Sequence, residues 1–578
     1  MSSKTQIMII IIIVSFIPQE TTAISCDIVG NDSALYEVFE YYPALSAYKK
    51  GLRNEYVIDK EIDLGFDNQI IFPCSRRLQI DGRTYYFSSN ALEIDAGQAI
   101  SIPAGCVLLN ESRQKVISYN NSYISDNQQT LFVASITSRE INCKIGRVFT
   151  VDAGSTLIFK GKGCLRNGIV FCDGVTIKAC NKLIFDRIIL HGSVTNKFLP
   201  VEWFGCNTNN TGEKNSEVMG DYLFPSAYNL RADIYHSAQG TYCFSGSYPV
   251  MNYFWTKTHS YVMDFKGMKV FGRGGKTIIK GMPIGGDNPA DVFNLVDVCN
   301  LKIHNLSVTA IPGNGKQTYG TNAFSLIHCI ENVEIQNCNV YNMPIFEKET
   351  YPDGGKAYTI QATEGTLQRN IRIQNNTASN VSYGLDYTKT GRKIDDLQEH
   401  IIFEGNTIKN AIVGCVIHQW DSPIGEHIPP VIVTDNFFLN CQLGVVCQTC
   451  KGAIVRNNTI VSRKEKKSRY YDGNFGIYLF GAYDVDIVAN DIKMKKGTSL
   501  IKAVVYSYYP QYNGSVYNIT IQDNRLNGNV THYGIDIGSN VRNSPDELLY
   551  KNVRVINNSN KTKGGQFLSS LAKSFLKQ

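Results

Sequence analysis

Ile371-Arg-Ile-Gln-Asn-Asn376 is the stretch that decides the fold. An alternating apolar strand closes on an asparagine, and the unit returns as Val431-Ile-Val-Thr-Asp-Asn436 and Ile519-Thr-Ile-Gln-Asp-Asn524. Working outward, the same setting holds Asn376, Asn406, Asn436, Asn458, Asn490, Asn524 and Asn558, at intervals of 30, 30, 22, 32, 34 and 34 residues. Short strands and turns repeating at that period make a solenoid, in which each unit buries its core only against its neighbours. Stacked at one corner of successive coils, each side-chain amide reaches the amide above and below, as in cross-β ladders. The pattern predicts an all-β chain, a right-handed parallel β-helix with short helical caps at both ends.

A second strand follows each asparagine and usually opens on glycine: Gly384-Leu-Asp-Tyr387, Gly414-Cys-Val-Ile417, Gly444-Val-Val-Cys447, Gly476-Ile-Tyr-Leu479 and Gly534-Ile-Asp-Ile537. Period-two alternation then assigns faces. Leu385, Cys415, Ile417, Val445, Cys447, Ile477, Leu479, Ile535 and Ile537 read as inward. Asp386, Val416, His418, Val446, Gln448, Tyr478 and Asp536 read as outward.

Before the asparagine coils, three strand–turn–strand units recur at 70–78, 100–108 and 149–157, with Pro or Ala-Gly at the corner. Lys4, the apolar run Ile7 to Ile17 and the small residues Thr21-Thr-Ala23 form an export leader, too short to span a bilayer. Ala23-Ile-Ser-Cys26 also loosely resembles a bacterial lipobox without its usual leucine, so the expected location is secreted, periplasmic or cell-surface, with Cys26 the candidate for lipidation. The chain therefore divides into a leader over 1–25, a helical cap region over 26–53 (Leu35, Val38, Phe39 and Tyr42 at helical spacing), first coils over 54–206, a main solenoid over 207–565 and a closing helix over 566–578.

A net charge of +6 on 578 residues, without a dense basic stripe, gives no sign of a nucleic-acid partner, and nothing after the leader is long and apolar enough to be a transmembrane segment. Sixteen cysteines in an exported chain raise disulfides, but Cys415 and Cys447 fall at core positions where a thiol packs as a small hydrophobe. Cys164, Cys172 and Cys180 are spaced like alternating core positions, and Cys447-Gln-Thr-Cys450 lacks the two further ligands a zinc site needs.

Leu157-Ile-Phe-Lys-Gly-Lys-Gly163, Asn167-Gly-Ile-Val170, Val201-Glu-Trp-Phe-Gly205 and the Asn-Thr-Ile units at 406–408 and 458–460 resemble the coils of secreted bacterial proteins of the pectate-lyase-like superfamily. The resemblance covers most of the mature chain and implies the pectin lyase fold. That fold hosts lyases, hydrolases, epimerases and non-catalytic adhesins, and no paired-Asp motif of the polygalacturonase type is present to carry over a catalytic residue.

Parallel coils stack about 4.8 Å apart, close to the rise of a sugar unit, so an outward row is a natural subsite ladder for a polysaccharide. Long loops over Met343 to Lys356, Thr388 to Glu399, His418 to Pro430 and Val461 to Asn474 would flank it. The candidate catalytic residues are Asp386, Lys389, Arg392, His418 and Asp421; Trp420, Gln448 and Tyr478 are candidates for substrate binding. In a lyase acting on an acidic glycan, Lys389, Arg392 or His418 removes the proton α to a uronate carboxyl while another cation neutralises that carboxylate. In a glycoside hydrolase, Asp386 pairs with Asp353, Glu364 or Asp421 across the scissile bond. In a non-catalytic surface protein the same row binds glycan without an acid–base pair. Trp203 reads as packing, and the basic run Arg463 to Arg469 as a solvated loop that would draw in an acidic chain. A Ca²⁺ held by carboxylates from different coils leaves no sequence motif, so its presence stays open.

Overall fold

A computed structural model of the chain describes residues 54–64, 142–223 and 291–576 apart from the loops 312–320, 348–351, 363–366, 391–397, 421–428, 464–470, 472, 505–515 and 539–549, with single elements elsewhere. The chain forms two compact units, one over 1–210, 214–238 and 250–263 and the other over 211–213, 239–249 and 264–578.

In the first unit, Cys164–Lys178 pairs in parallel with Phe185–Val194, and Thr156–Phe159 pairs in parallel with both Glu55–Ile58 and the end of Cys164–Lys178. Gly154, at φ 66°, turns the corner read at 149–157. The other two copies of that unit behave differently: in the 70–78 copy Gln69–Pro73 and Arg77–Ile80 pair antiparallel with their neighbours, and in the 100–108 copy Cys106–Leu109 pairs antiparallel with Ser33–Tyr42. The helix expected in the cap region is instead a strand, Ser33–Tyr42, in parallel register with Asn142–Thr150. Its run of Tyr, Val and Phe suits a pleated surface, and the waiting strand edge outweighs the helical spacing. Of the leader, only the strands Met8–Ile11 and Ile24–Asp27 are described. Cys164 and Cys172 are buried as expected, but Cys180 is exposed, because the strand ends at Lys178 and alternation ends with it. Trp203 is buried and donates from Nε1 to the Cys180 carbonyl at 3.2 Å.

The second unit is the parallel β-helix. Three ladders repeat around each coil. One contains Tyr358–Ala362, Tyr383–Thr390, Val413–Trp420, Leu443–Gln448 and Phe475–Phe480. A second contains Gln368–Gln374, Gln398–Glu404, Val431–Thr434, Lys451–Arg456 and Tyr483–Val488. The third consists of short strands such as Thr377–Ser379, Thr407–Lys409 and Phe437–Leu439. The predicted inward residues, from Leu385 through Cys415, Val445 and Ile477 to Ile535, stack in register and are fully buried. The ten described cysteines are all free thiols; Cys447 and Cys450 are both buried, and burial pushes the Cys450 thiol well up.

The asparagine ladder is present along its whole length. Asn376 Nδ2 donates to Asn406 Oδ1, and the same bond links each rung to the next down to Asn558, at 2.9–3.1 Å. Each Oδ1 also takes the backbone N–H of the preceding rung, as Asn436 Oδ1 does from Asn406 N at 2.9 Å. The residue before each rung is left-handed: Asn375, Gly405, Asp435, Asn457, Ala489, Asp523 and Asn557 have φ between 49° and 64°. The glycine that opens these strands has a steric cause. A Cβ at Gly414 would lie 2.5 Å from the Gly444 carbonyl oxygen and 2.4 Å from the Phe438 ring, so only glycine lets these coils close.

The C-terminal cap is shorter than read. Phe567 and Leu568 lie in a strand, Gln566–Leu568, and only Ser570–Ser574 is helical. Ser569 Oγ accepts from Ala572 N at 3.3 Å as the helix cap and donates to the Ile537 carbonyl at 3.0 Å, closing the last coil.

Candidate functional site

On the outer side of the ladder containing Asp386, one row reads Ser325, Thr359, Asp386, Val416, Val446, Tyr478, Lys502 and Asp536, each in register with the next. The predicted outward residues are therefore on one side of the sheet, but most of this row is closed to solvent. Asp386 is 1 % exposed, Val416 6 %, Val446 2 % and Asp536 0 %. Val416 and Val446 pack with Val413, Leu443 and Phe475, and Tyr383, Ile412, Tyr471 and Tyr478 lie against them. Tyr471 is held there by its main chain: the Gln442 amide donates to the carbonyls of Tyr471, at 2.9 Å, and Gly473, at 3.1 Å.

Asp386 is at the bottom of a polar cluster. Its Oδ2 accepts from Lys356 Nζ at 2.6 Å and from Thr359 Oγ1 at 2.9 Å, and its Oδ1 accepts from Thr388 Oγ1 at 2.9 Å. Lys356, 19 % exposed at the side chain, also sits 5.4 Å from the centroid of the Tyr383 ring. Tyr383 in turn is hydrogen-bonded to Tyr471, whose phenol burial pushes upward in pKa. Two coils earlier than Thr359, Asp291 accepts from Ser325 Oγ at 2.6 Å and from Asn322 N at 3.0 Å, and burial raises its carboxyl. His418, in register with Thr388 and Gln448, is brought down to about 4 by burial; Asp386 works against that shift and Lys356 with it. At neutral pH the imidazole is uncharged and has a lone pair to offer.

The remaining predicted residues divide. Gln361, Thr388, His418 and Gln448 form a half-exposed row beside the buried one. Tyr478 stacks on Phe475 at 4.9 Å and Phe480 at 5.7 Å, with the buried Lys502 ammonium 6.0 Å from its ring centroid. Lys389 does not join Asp386. Three residues along a strand is an odd step, so Lys389 lies on the opposite side, 2 % exposed, with Gln419 beside it in register. Trp420 ends its strand opposite Thr390. Arg392, Asp421 and Glu364 lie outside the described residues, as do most of the basic run and the 505–515 loop, and Asp353 lies on an antiparallel hairpin, Ile345–Glu347 with Pro352–Gly354.

Sequence reading missed Lys356, Asp291, Thr359, Tyr383 and Tyr471. Lys356 was placed at the end of a loop, although carrying the strand register back one coil from Gly384 would have put it at the edge of the row. A second polar pair was missed as well: Lys502 and Asp536 occupy adjacent coils, and Ser499 Oγ donates to Asp536 at 3.2 Å. Among the described residues no group of three or more His, Cys, Asp or Glu is placed to hold a metal ion, and the charge beside Asp386 is the Lys356 ammonium. No helix among the described residues is long and apolar enough to cross a membrane.

No protein-family model matches the chain, and no curated protein matches it in sequence. Among solved structures it is similar to the A-module of the Azotobacter vinelandii mannuronan C-5 epimerase AlgE6, with 14 % identity over 64 % of this chain and 97 % of that one and a TM-score of 0.38. It is also similar to the Streptococcus pneumoniae surface protein and adhesin PfbA, at 12 % identity over 64 % and 100 % of the two chains with a TM-score of 0.34, and to the Yersinia enterocolitica family 28 exopolygalacturonase, at 11 % over 66 % and 79 % with a TM-score of 0.30.

Proposed function

We propose that the protein binds an acidic polysaccharide along the half-exposed row Gln361, Thr388, His418 and Gln448 and cleaves it by β-elimination. The observation that carries this reading is the Lys356 ammonium, fixed 2.6 Å from a buried carboxylate yet still reaching the surface beside a neutral histidine and a tyrosine. Lys356 is the cation that neutralises the uronate carboxylate, and Lys389, on the opposite side of the sheet, takes no part as a base. His418 removes the proton α to that carboxylate, the C–O bond to the leaving sugar breaks as the double bond forms, and the Tyr383 hydroxyl supplies the proton to the leaving oxygen. A bound uronate carboxylate raises the basicity of the imidazole, because a nearby anion favours its protonated form. Asp386, too buried to touch a sugar, acts as a positioning residue for Lys356 and Thr388.

A hydrolase reading has one observation in its favour: Asp291 and Asp386 bond to side chains of adjacent coils, Asp386 is paired with the Lys356 ammonium, and burial raises the Asp291 carboxyl. Two carboxyls in unlike surroundings are what an acid and a base or nucleophile require. A panel of uronate-containing and neutral polysaccharides separates the readings. New reducing ends with near-ultraviolet absorbance from unsaturated uronate, lost in Lys356→Met, support the lyase. Reducing ends without absorbance assign the hydrolase, and binding without either product assigns a glycan-binding surface protein.

A further inference from the structure

The outer side of the second ladder carries a row of stacked isoleucines between two charges. Arg372, Ile402, Ile432, Ile454 and Asp486 follow one another in register on five successive coils. The three isoleucines are partly exposed and the two flanking charges fully so. Single exposed isoleucines need no explanation, but three stacked in register form a continuous apolar strip. Two residues along, the parallel row reads Gln374, Glu404, Thr434, Arg456 and Val488. Among the described residues none of Arg372, Arg456 and Asp486 has an ion-pair partner.

The first row is complementary to itself when reversed about its middle coil, and the inner positions of the second row are too. Reversal brings plus onto minus at the ends of the first row, isoleucine onto isoleucine within it, and Glu404 onto Arg456 in the second. We propose that this face is the contact between two copies of the chain, related by a two-fold axis that runs along the strand through Ile432, with the two solenoids antiparallel. Ile432 then meets its own counterpart, Ile402 meets the partner subunit's Ile454, Arg372 meets the partner subunit's Asp486, and Glu404 meets the partner subunit's Arg456. Symmetry makes each of these contacts twice, as an isologous interface requires. A parallel arrangement would set Arg372 against its own counterpart and Asp486 against its own, so charge selects the antiparallel one. Further out, Lys302 and Arg554 would approach each other four coils from the axis, but Lys302 already holds Glu334 at 3.4 Å, which offsets the repulsion.

Five coils at about 4.8 Å give a strip roughly 20 Å long. That face is smaller than the roughly 800 Å² per partner of a standard stable interface, so the dimer is reversible and its population depends on concentration. Sedimentation equilibrium of the full chain tests this without any knowledge of the glycan. The apparent mass rises from 64.5 kDa toward twice that value as concentration increases. Ile432→Lys, at a half-exposed position that leaves the core intact, keeps the chain monomeric. Arg372→Asp alone and Asp486→Arg alone each weaken association by about tenfold or more, while the two together restore it, because the new charges meet across the axis. The inference is overturned by a monomer at every attainable concentration, by an oligomer that Ile432→Lys leaves unchanged, or by a double reversal no tighter than either single one.

Discussion

The buried corner of the solenoid and the buried row outside its first ladder are both stacks of polar groups in one register, and they are built in opposite ways. At the corner one residue repeats. An amide both donates and accepts, so identical rungs satisfy one another, and Asn376 through Asn558 form a column needing no other side chain. In the row no residue repeats for function. Ser325, Thr359 and Asp386 give way to two valines, a tyrosine, a lysine and a second aspartate, and the partners come from off the row, as Lys356 does for Asp386. Repetition marks what holds the coils together, and its loss marks where the row draws its partners from elsewhere in the fold.

The largest effect expected from breaking this contrast is at the corner. Asn436→Ala removes the bond to the Phe403 carbonyl and orphans the buried backbone N–H of Asn406 and one of its two amide hydrogens, which both end on Asn436 Oδ1, the other hydrogen staying on the Ile373 carbonyl. Each unsatisfied buried group costs about 1–3 kcal/mol, so a loss of roughly 4 kcal/mol in denaturant unfolding is expected. The terminal rung Asn558 is half-solvated, and the same change there should cost about 1 kcal/mol. Equal losses at the two positions would show that the ladder does not act through burial.

The row should respond to charge instead. Asp386→Asn keeps the shape of the side chain and leaves the Lys356 ammonium without its counter-charge. Breaking a buried pair costs about 3–5 kcal/mol, and the partial exposure of Lys356 brings the expectation to the lower end, about 3 kcal/mol. Joining it to Lys356→Met should recover most of that stability while eliminating turnover. If the double variant is as unstable as the single one, the pair is not the unit the geometry indicates.

Legibility followed the same division. The ladder, the inward residues and the glycine column could be read from the chain because each recurs coil after coil. Asp386 and His418 lie on the side of the sheet read for them because their strands carry that repeat. Lys356 and Asp291 were not legible, since their roles come from side chains reaching across coils that begin in loops of unequal length. Lys389 was misplaced by treating a nearby residue as one sharing a face, which an odd step on a strand forbids. The burial of most of the row was also invisible, because alternation gives direction and says nothing of what lies on top.

His418 gives a smaller effect with a definite sign. Its folded value of about 4 lies below the usual 6.5. Between those limits the unfolded chain binds a proton that the folded chain does not, so stability falls as pH drops from 6.5 toward 4 and this contribution is constant below. The ceiling is about 3 kcal/mol, and the residue's remaining contact with solvent reduces it to about 2 kcal/mol. His418→Gln should flatten that part of the stability profile. On the proposed reading it also abolishes turnover, and wild-type turnover keeps a neutral base down to a pH well below 6.5.

The smallest effect separates two uses of one amino acid. A second set of asparagines, Asn342, Asn380 and Asn410, stacks on the surface, with Asn380 Nδ2 donating to Asn342 Oδ1 at 2.8 Å. These side chains are solvated, so their mutual bonds replace bonds to water and add little. What their position demands is backbone: Asn380 has φ 54°, a conformation that costs most residues about 1–2 kcal/mol and glycine almost nothing. Asn380→Gly should therefore leave stability within about 0.5 kcal/mol of the parent, and Asn380→Ala should lower it by about 1 kcal/mol. At the buried rung Asn436, where φ is not positive, glycine should be no better than alanine, because there the amide is what is lost. A cost for Asn380→Gly equal to that for Asn380→Ala would mean that the outer stack, too, depends on its amides.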